Sequence, residues 1–279
     1  MKALAGRTAL VTGGTGTIGS ALVRELVAAG AQVILPCRDV ARGQALAATV
    51  QEPGGVVVRP LDLAALRSVR DLATWAVATL PRLDVLIHGA AVWSRQRRVS
   101  AEGFELTFAV NHLGPFALTT ALLPLLHRSQ ARVVTVASGL HVRGELAWDD
   151  VMQERGGFNG VRAYEQSKLA NVMFALALAR RAKVVSLALH PGVVRSGLTR
   201  EYPEMWKHPP PGLVRAEAAA RAIFRLAQDP ALARKSGSYF DKDRPGATSA
   251  KAQSVPAQDR LWELSEQLLR RAADGQTPA

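Results

Sequence analysis

The sequence predicts an α/β protein built as one doubly wound domain over residues 1–279, with a mostly parallel, seven-stranded sheet and helices on both faces. Three observations predict it. Short β-branched runs alternate with helical stretches along the chain, the pattern of βαβ units. The first strand runs into a glycine-rich turn that opens an apolar helix. The chain carries no internal repeat and no linker long enough to divide it.

Taken in order, strands are expected at 8–12, 32–36, 56–61 and 85–87, separated by helices near 18–29, 39–50 and 65–79. A helix near 102–126 follows, then a strand at 132–136 and a helix from Tyr164 to about Arg181. The strand at 184–189, a helix near 215–228, a short strand at 238–240 and a helix near 259–272 complete the pattern. Two long connections, 139–160 and 195–214, leave the edge formed by the strand ends, and a polar tail covers 274–279.

Composition narrows the function classes. At 48% hydrophobic and 21% charged residues the chain buries a full core and is not disordered. The single cysteine, Cys37, excludes an intrachain disulfide and suits a reducing compartment. No signal peptide is visible before the first strand, and the longest apolar helical run, 169–179, is too short to cross a bilayer. A soluble, cytoplasmic protein without an integral membrane segment is therefore expected. The net charge of +12 raises nucleic acid as a partner. The basic residues are spread out, however, and the densest run, Arg95-Gln96-Arg97-Arg98, has too few aromatics nearby for a stacking platform. An arginine-rich solvated surface, with no nucleic-acid partner, is the reading the sequence favours.

The chemistry-bearing residues lie at strand ends, where open α/β sheets bind ligands. Gly14-x-Gly16-x-x-Gly19 has the strand–turn–helix context of a dinucleotide fingerprint, in which glycines let the backbone approach a pyrophosphate at a helix N-terminus. A carboxylate that binds both ribose hydroxyls usually ends the second strand. Cys37 holds that place and Arg38 follows, which favours a 2′-phosphate and hence NADP over NAD. Asp39 is either the ribose carboxylate or the N-cap of the next helix, and the cap is the favoured reading. Asp62, before Leu63, is either a carboxylate facing adenine or another cap. His88 ends the fourth strand before Gly89, Ala90 and Ala91, and has no partners at metal-ligand spacing, so no metal site is expected. Asn111 is a polar residue on an apolar helix. Ser138 follows a buried-looking strand and lacks the glycine of a hydrolase elbow, so a hydroxyl that polarises a carbonyl fits better. Tyr164 and Lys168 stand one helical turn apart on one face. An ammonium there is expected to lower the phenol pKa towards working pH and make Tyr164 an acid/base.

With these residues in view, the sequence resembles the short-chain dehydrogenases/reductases over nearly its whole length, and within them the retinol-dehydrogenase-like group. Asn111, Ser138, Tyr164 and Lys168 match the family's catalytic tetrad. The glycine turn (Gly13, Thr15, Gly16, Thr17, Ile18, Gly19), Arg38, Asp62-Leu63, His88, Ala90 and Pro191-Gly192-Val193-Val194 fall on its cofactor-binding segments. Cys37-Arg38-Asp39, Ser167-Lys168-Leu169-Ala170-Asn171, His190-Pro191-Gly192 and the ending Arg260-Leu261-Trp262-Glu263-Leu264-Ser265 carry the likeness to the retinol-dehydrogenase-like group. Two positions depart from the family pattern. Thr17 stands where many members have the middle glycine, and His88-Gly89-Ala90-Ala91 replaces Asn-Asn-Ala-Gly.

The resemblance implies a Rossmann oxidoreductase moving a hydride between NADP(H) and a carbonyl or alcohol. Tyr164 is then the acid/base and Ser138 the oxyanion partner. Lys168 lowers the phenol pKa and holds the nicotinamide ribose, while Asn111 fixes a relay water behind it. Apolar residues on the two long connections (Leu140, Val142, Leu146, Trp148, Met152 and Phe158; Leu198, Tyr202, Met205 and Trp206) predict a bulky apolar substrate, retinoid-like or lipid-like. The prolines of 195–214 make that loop a partial lid, and Arg195 and Arg200 are placed to meet a polar substrate end. The apolar sides of the Tyr164 helix predict a homodimer through it. The rival readings are a non-catalytic NADP-sensing module and a protochlorophyllide-reductase-type enzyme, which would need a cysteine proton donor.

Overall fold

Strand parity builds two layers from one sheet. Along β1 (Thr8–Thr12), Leu10 faces one way and Ala9 and Val11 the other. The same alternation puts Ile34 of β2 (Gln32–Cys37), Leu86 of β4 (Val85–His88) and Val133 of β5 (Arg132–Val136) in the first layer. Val33, Leu35, Val85, Ile87 and Val134 fall in the second. Every one of these residues is buried, as a parallel sheet covered on both faces requires.

The computed structural model describes residues 2–50 and 55–275. The sheet order is β3-β2-β1-β4-β5-β6-β7-β8, with β3 Val56–Pro60, β6 Val185–His190 and β7 Ser238–Asp241. All neighbours pair in parallel except β7 with β8 (Arg244–Pro245), which is antiparallel. The sheet thus has eight strands where the sequence predicts seven. A two-residue strand has no periodicity to read, so it escapes pattern analysis. The order reverses between β1 and β4, and the carboxyl ends of those strands open into the crevice where doubly wound sheets take ligands.

Helix α1 (Thr17–Ala28) and α7 (Ala216–Gln228) cover the second layer, near α2 (Val40–Ala48). On the first face lie α3 (Leu66–Thr79), the short α4 (Leu106–Phe108) and α5 (Gly114–Arg128). Helix α4 starts at 106, not 102, because the buried Glu105 carboxylate caps it, accepting Thr107 N–H at 2.8 Å and Phe108 N–H at 2.7 Å. A π-helical turn, Ala109–Leu113, joins α4 to α5 and carries Asn111. The whole stretch Leu106–Arg128 is long and apolar enough by length and composition to cross a bilayer, so 169–179 is not the longest apolar run. It is instead a core helix, with 72% of its most apolar window buried inside the fold.

Helix α6 runs from Gly160 to Arg181, so Tyr164 sits in its second turn rather than opening it. Asn159 caps it, accepting the N–H groups of Val161 and Arg162, both at 3.0 Å. Its apolar sides, which predicted a dimer, are covered within the chain by α8 (Ala250–Gln253) and α9 (Val255–Ala273). Trp262 of α9 packs edge-on to Phe116 of α5 at 4.9 Å and stacks near Phe174 of α6 at 6.1 Å. His112 Nε2 donates to Ser265 Oγ at 2.9 Å, because that hydroxyl spends its own hydrogen on Leu261 O. The physical reason given for a dimer, an uncovered helix face, is therefore met in cis. Of the tail at 274–279, residues 276–279 lie outside the described residues.

Because α9 supplies this cover, Trp262→Ala is expected to cost about 3–5 kcal/mol of stability, the usual range for a buried tryptophan removed from a core. Urea unfolding followed by circular dichroism measures it.

Candidate active site

The cleft is about 980 Å³ and opens over the carboxyl ends of β1, β4, β5 and β6. Thr12 closes its floor: its hydroxyl receives Gly89 N–H at 3.2 Å and donates to Ile87 O at 3.3 Å, drawing the ends of β1 and β4 together. Gly13 has φ +72°, and a Cβ there would lie 2.6 Å from Ala90 N, so only glycine fits this crossing. A Cβ on Gly19 would lie 2.2 Å from Gly13 O. Gly14 is a packing glycine, facing Leu35 instead of the cleft. Helix α1 starts from Gly16 with no side-chain cap and no acidic residue in its first turn. Its first N–H groups are therefore directed at the cleft with positive partial charge and fit an anionic pyrophosphate.

Nearly every residue expected to hold the cofactor lines this one cleft: Gly13, Thr15, Gly16, Thr17, Ile18, Gly19, Arg38, Asp62, Leu63, Ala90, Tyr164, Lys168, Pro191, Gly192 and Val194. His88 is the exception. Parity places it with Leu86, pointing into the first layer, where its ring is buried and Nε2 lies 2.7 Å from Thr119 Oγ1. Thr119 donates to Pro115 O, so the imidazole N–H donates to Thr119, and burial pushes the ring's pKa down to about 3. At the far end of the cleft, Asp39 is the cap of α2, accepting Arg42 N–H at 2.9 Å. Asp62 shapes its own turn by accepting Ala64 N–H at 2.9 Å and still lines the cleft. The exposed guanidiniums of Arg38 and Arg42 both reach this end, and neither has a carboxylate partner among the described residues. The sequence reading missed Arg42, although its place one turn into α2 is a local signal. The Cys37 thiol packs on Gly43, and burial pushes its pKa up, which keeps it protonated and inert.

Ser138, Tyr164 and Lys168 come together on the opposite wall. Ser138 caps a short 3₁₀ turn, with Oγ accepting Leu140 N–H at 3.2 Å. His141 Nδ1 donates to Ser138 O at 2.7 Å and fixes the strand end. The hydroxyl hydrogen of Ser138 is left to donate into the cleft. Lys168 is buried, donates to Val136 O at 3.1 Å, and lies 5.5 Å from the Tyr164 ring centroid. Burial pushes its pKa down to about 8. The Tyr164 phenol goes the other way from the expectation. Burial raises its pKa, and hydrogen bonding with Ser138 only partly opposes that shift. Taking a phenolate out of water costs more here than a desolvated ammonium returns.

Asn111 lies behind this wall and does not line the cleft. Its carbonyl accepts Val92 N–H at 2.8 Å, and its amide donates to Val92 O at 3.0 Å and Ser167 Oγ at 2.9 Å. These bonds tie the π turn, the loop after β4 and α6 into one unit. π turns recur where a side chain must be re-aimed at a functional site.

The long connections divide. Leu140 lines the cleft, but Val151 and Met152 are core, Leu146 and Trp148 pack against that core, and Val142 is exposed. From 195–214, Leu198, Arg200, Tyr202, Met205, Pro210 and Pro211 line the cleft. Trp206 turns away to donate to Thr199 Oγ1 at 2.9 Å, with the Arg195 guanidinium 5.7 Å from its ring centroid. Trp93, which no local pattern marks, stacks on Tyr164 with centroids 4.4 Å apart and planes at 11°.

A family model described as short chain dehydrogenase matches residues 7–206. The chain belongs to the short-chain dehydrogenase/reductase family. It is 37% identical to human retinol dehydrogenase 14, with 94% of this chain and 85% of that protein covered. Among solved structures, it resembles an uncharacterised protein from Mycobacterium paratuberculosis with a TM-score of 0.78 at 32% identity, over 99% of this chain and 96% of that one. The Pseudomonas aeruginosa RhlG/NADP active-site complex matches with a TM-score of 0.68 at 28% identity, over 86% and 96% of the two chains. The chain is thus an oxidoreductase of a family that uses a nicotinamide cofactor, carried on a Rossmann-like sheet.

Proposed function

We propose that this chain is an NADP(H)-dependent reductase of bulky apolar carbonyl compounds, retinoid-like or lipid-like, in which Tyr164 supplies the proton. The observation that carries the reading is the convergence of Tyr164, Ser138 and Lys168 on one wall of a cleft whose far end holds the guanidiniums of Arg38 and Arg42, which have no carboxylate partner among the described residues. Gly13, Thr15, Gly16, Thr17, Ile18 and Gly19 hold the pyrophosphate. Arg38 and Arg42 meet the 2′-phosphate, Asp62 and Leu63 flank the adenine, and Ala90, Pro191, Gly192 and Val194 border the nicotinamide end. The bound cofactor supplies the hydride.

Substrate orientation and the proton fall to the protein. Ser138 Oγ–H donates to the carbonyl oxygen and strengthens as negative charge grows there. Tyr164 then transfers its phenolic proton to that oxygen. A phenol whose pKa is raised by burial keeps that proton at rest, the form a proton donor needs. Lys168, with its pKa near 8, sits next in line to restore the proton and also reaches the ribose. Asn111 acts through the backbone of Val92 and through Ser167, holding α6 and the β4 loop in register. Both of its amide hydrogens are engaged, so a relay water at Asn111 would be held by donating to one of its carbonyl oxygens. Cys37, buried at the adenosine end, argues against the cysteine-donor chemistry of a protochlorophyllide-type enzyme.

The apolar cleft wall from Leu140, Leu198 and Met205 supports a bulky substrate, as does the retinol in the name of the human relative. Arg200 is the one of the two expected arginines that reaches the cleft and meets a polar substrate end. A homodimer would form through surfaces other than the apolar sides of α6, which α8 and α9 cover within the chain. A reducing, cytoplasmic setting suits the free Cys37.

Removing one charge-assisted hydrogen bond costs about 1.5–3 kcal/mol. Arg38→Ala is therefore expected to weaken NADPH binding by roughly tenfold to a hundredfold while leaving NADH binding nearly unchanged, as titration calorimetry would show. Equal affinity of the wild type for the two cofactors overturns the 2′-phosphate assignment.

Tyr164→Phe is expected to lower kcat for aldehyde reduction by at least a hundredfold with NADPH affinity intact, since acid catalysis contributes about 10²–10⁴-fold. Lys168→Ala should damage both kcat and binding. Run across straight-chain aldehydes of rising length, the wild type should gain kcat/KM with apolar size. A preference for small polar carbonyls would contradict the pocket reading.

A further inference from the structure

The stack on Tyr164 does not end at Trp93. The indole also meets Tyr202, from the 195–214 loop, at 4.6 Å between centroids with the planes tilted by 36°. The Arg95 guanidinium covers the Tyr202 ring at 4.8 Å. One aromatic column therefore runs from the phenol in the cleft to the loop above it. Two further contacts lock its register. Tyr202 O–H donates to Ser94 O at 3.2 Å. Gly160, in the first turn of α6, is where both groups approach the helix: a Cβ there would lie 2.1 Å from Ser94 O and 2.4 Å from Tyr202 Oη.

Ion pairs decorate the same junction, but they do not hold it. Arg95 pairs with Glu204, and Arg98 with Glu201 at 3.3 Å, on side chains that are about half exposed apart from the more covered Glu201. Pairs of that kind contribute little in water. Arg95 N–H also donates to Glu201 at 2.9 Å. This bond and that of Tyr202 to Ser94 O both end on the loop after β4, and the stack is what carries the contact on to Tyr164 of α6. Helix α6 fixes the backbone of Tyr164, yet it does not set the rotation of the ring about its own axis. A parallel indole face at 4.4 Å does.

We propose that Trp93 is a positioning residue: its indole sets the ring plane of Tyr164 and, through Tyr202, makes that plane depend on closure of the 195–214 loop. The proposal rests on the reading of Tyr164 as the proton donor. The phenolic O–H lies in the plane of its ring, so substrate engaged beneath the loop then meets an O–H held in one plane, and an open loop leaves that plane free to rotate the O–H off the line to the oxygen held by Ser138.

The test uses the full-length protein with Trp93→Ala, Trp93→Phe and Tyr202→Ala. Reduction of decanal by NADPH is measured beside tryptic cleavage after Arg200 and Lys207 in the substrate-free protein. Trp93→Ala is expected to lower kcat at least tenfold, to leave the KM for NADPH within about twofold, and to speed cleavage at least fivefold. Trp93→Phe, which keeps a flat face, should restore both to within about threefold. Tyr202→Ala, which breaks the column from the exposed side, should speed cleavage and lower kcat. Faster cleavage with unchanged kcat makes Trp93 a loop anchor alone and overturns the coupling. Unchanged cleavage overturns the column, and a kcat loss that phenylalanine does not rescue overturns the stack as its cause. Activity retained in Tyr164→Phe would overturn the proton-donor reading instead, while the cleavage measurement, made without substrate, would still judge the column.

Discussion

Burial of Tyr164 and Lys168 on one face of α6 is the constraint on which the rest of this structure depends. Two polar side chains are taken out of water beside the end of β5, and desolvation moves their proton affinities in opposite senses. The ammonium is loosened to about 8, and the phenol is tightened. An arrangement of this kind is costly unless its groups are aimed. The Val136 carbonyl takes the lysine, Ser138 faces the phenol, and Asn111 locks α6 to the loop after β4. The π turn is the local distortion that lets Asn111 reach all three of its partners.

The sheet puts this pair within reach of an anion site. Strand order reverses between β1 and β4, and Gly13 crosses Ala90 at backbone contact, so the uncapped start of α1 opens onto the same cleft as Ser138 and Tyr164. One wall carries Ser138, Tyr164 and Lys168, and the far end carries the guanidiniums of Arg38 and Arg42. Under the proposed reading, a bound dinucleotide would span the cleft between these two ends.

What the sequence disclosed is what local spacing can carry. The glycine turn, the Asp39 cap, the Tyr164–Lys168 pair and the order of strands and helices all follow from residues a few positions apart. His88 was misplaced, although strand parity with Leu86 already turned its ring into the core. The lowered phenol pKa was expected from the lysine's sequence distance, whereas the depth of burial that outweighs it is a tertiary property. The same holds for α6: its apolar faces are legible, but the helix that covers them is α9, whose Trp262 reaches Phe174 from far along the chain, and not a second chain. Trp93 carried no signal at all, because a lone tryptophan in a loop acquires meaning only from the two tyrosines that meet it.

The chain has three tyrosines, Tyr164, Tyr202 and Tyr239, so selective Cζ carbon labelling makes the central claim directly measurable. Titrating the labelled protein against Tyr164→Phe and Lys168→Met isolates the Tyr164 resonance and its response to the lysine. The account predicts a phenol that stays protonated through about pH 10, with a small inflection near pH 8 that disappears in Lys168→Met. A phenolate already formed at pH 8, or a resonance blind to the lysine, would contradict it.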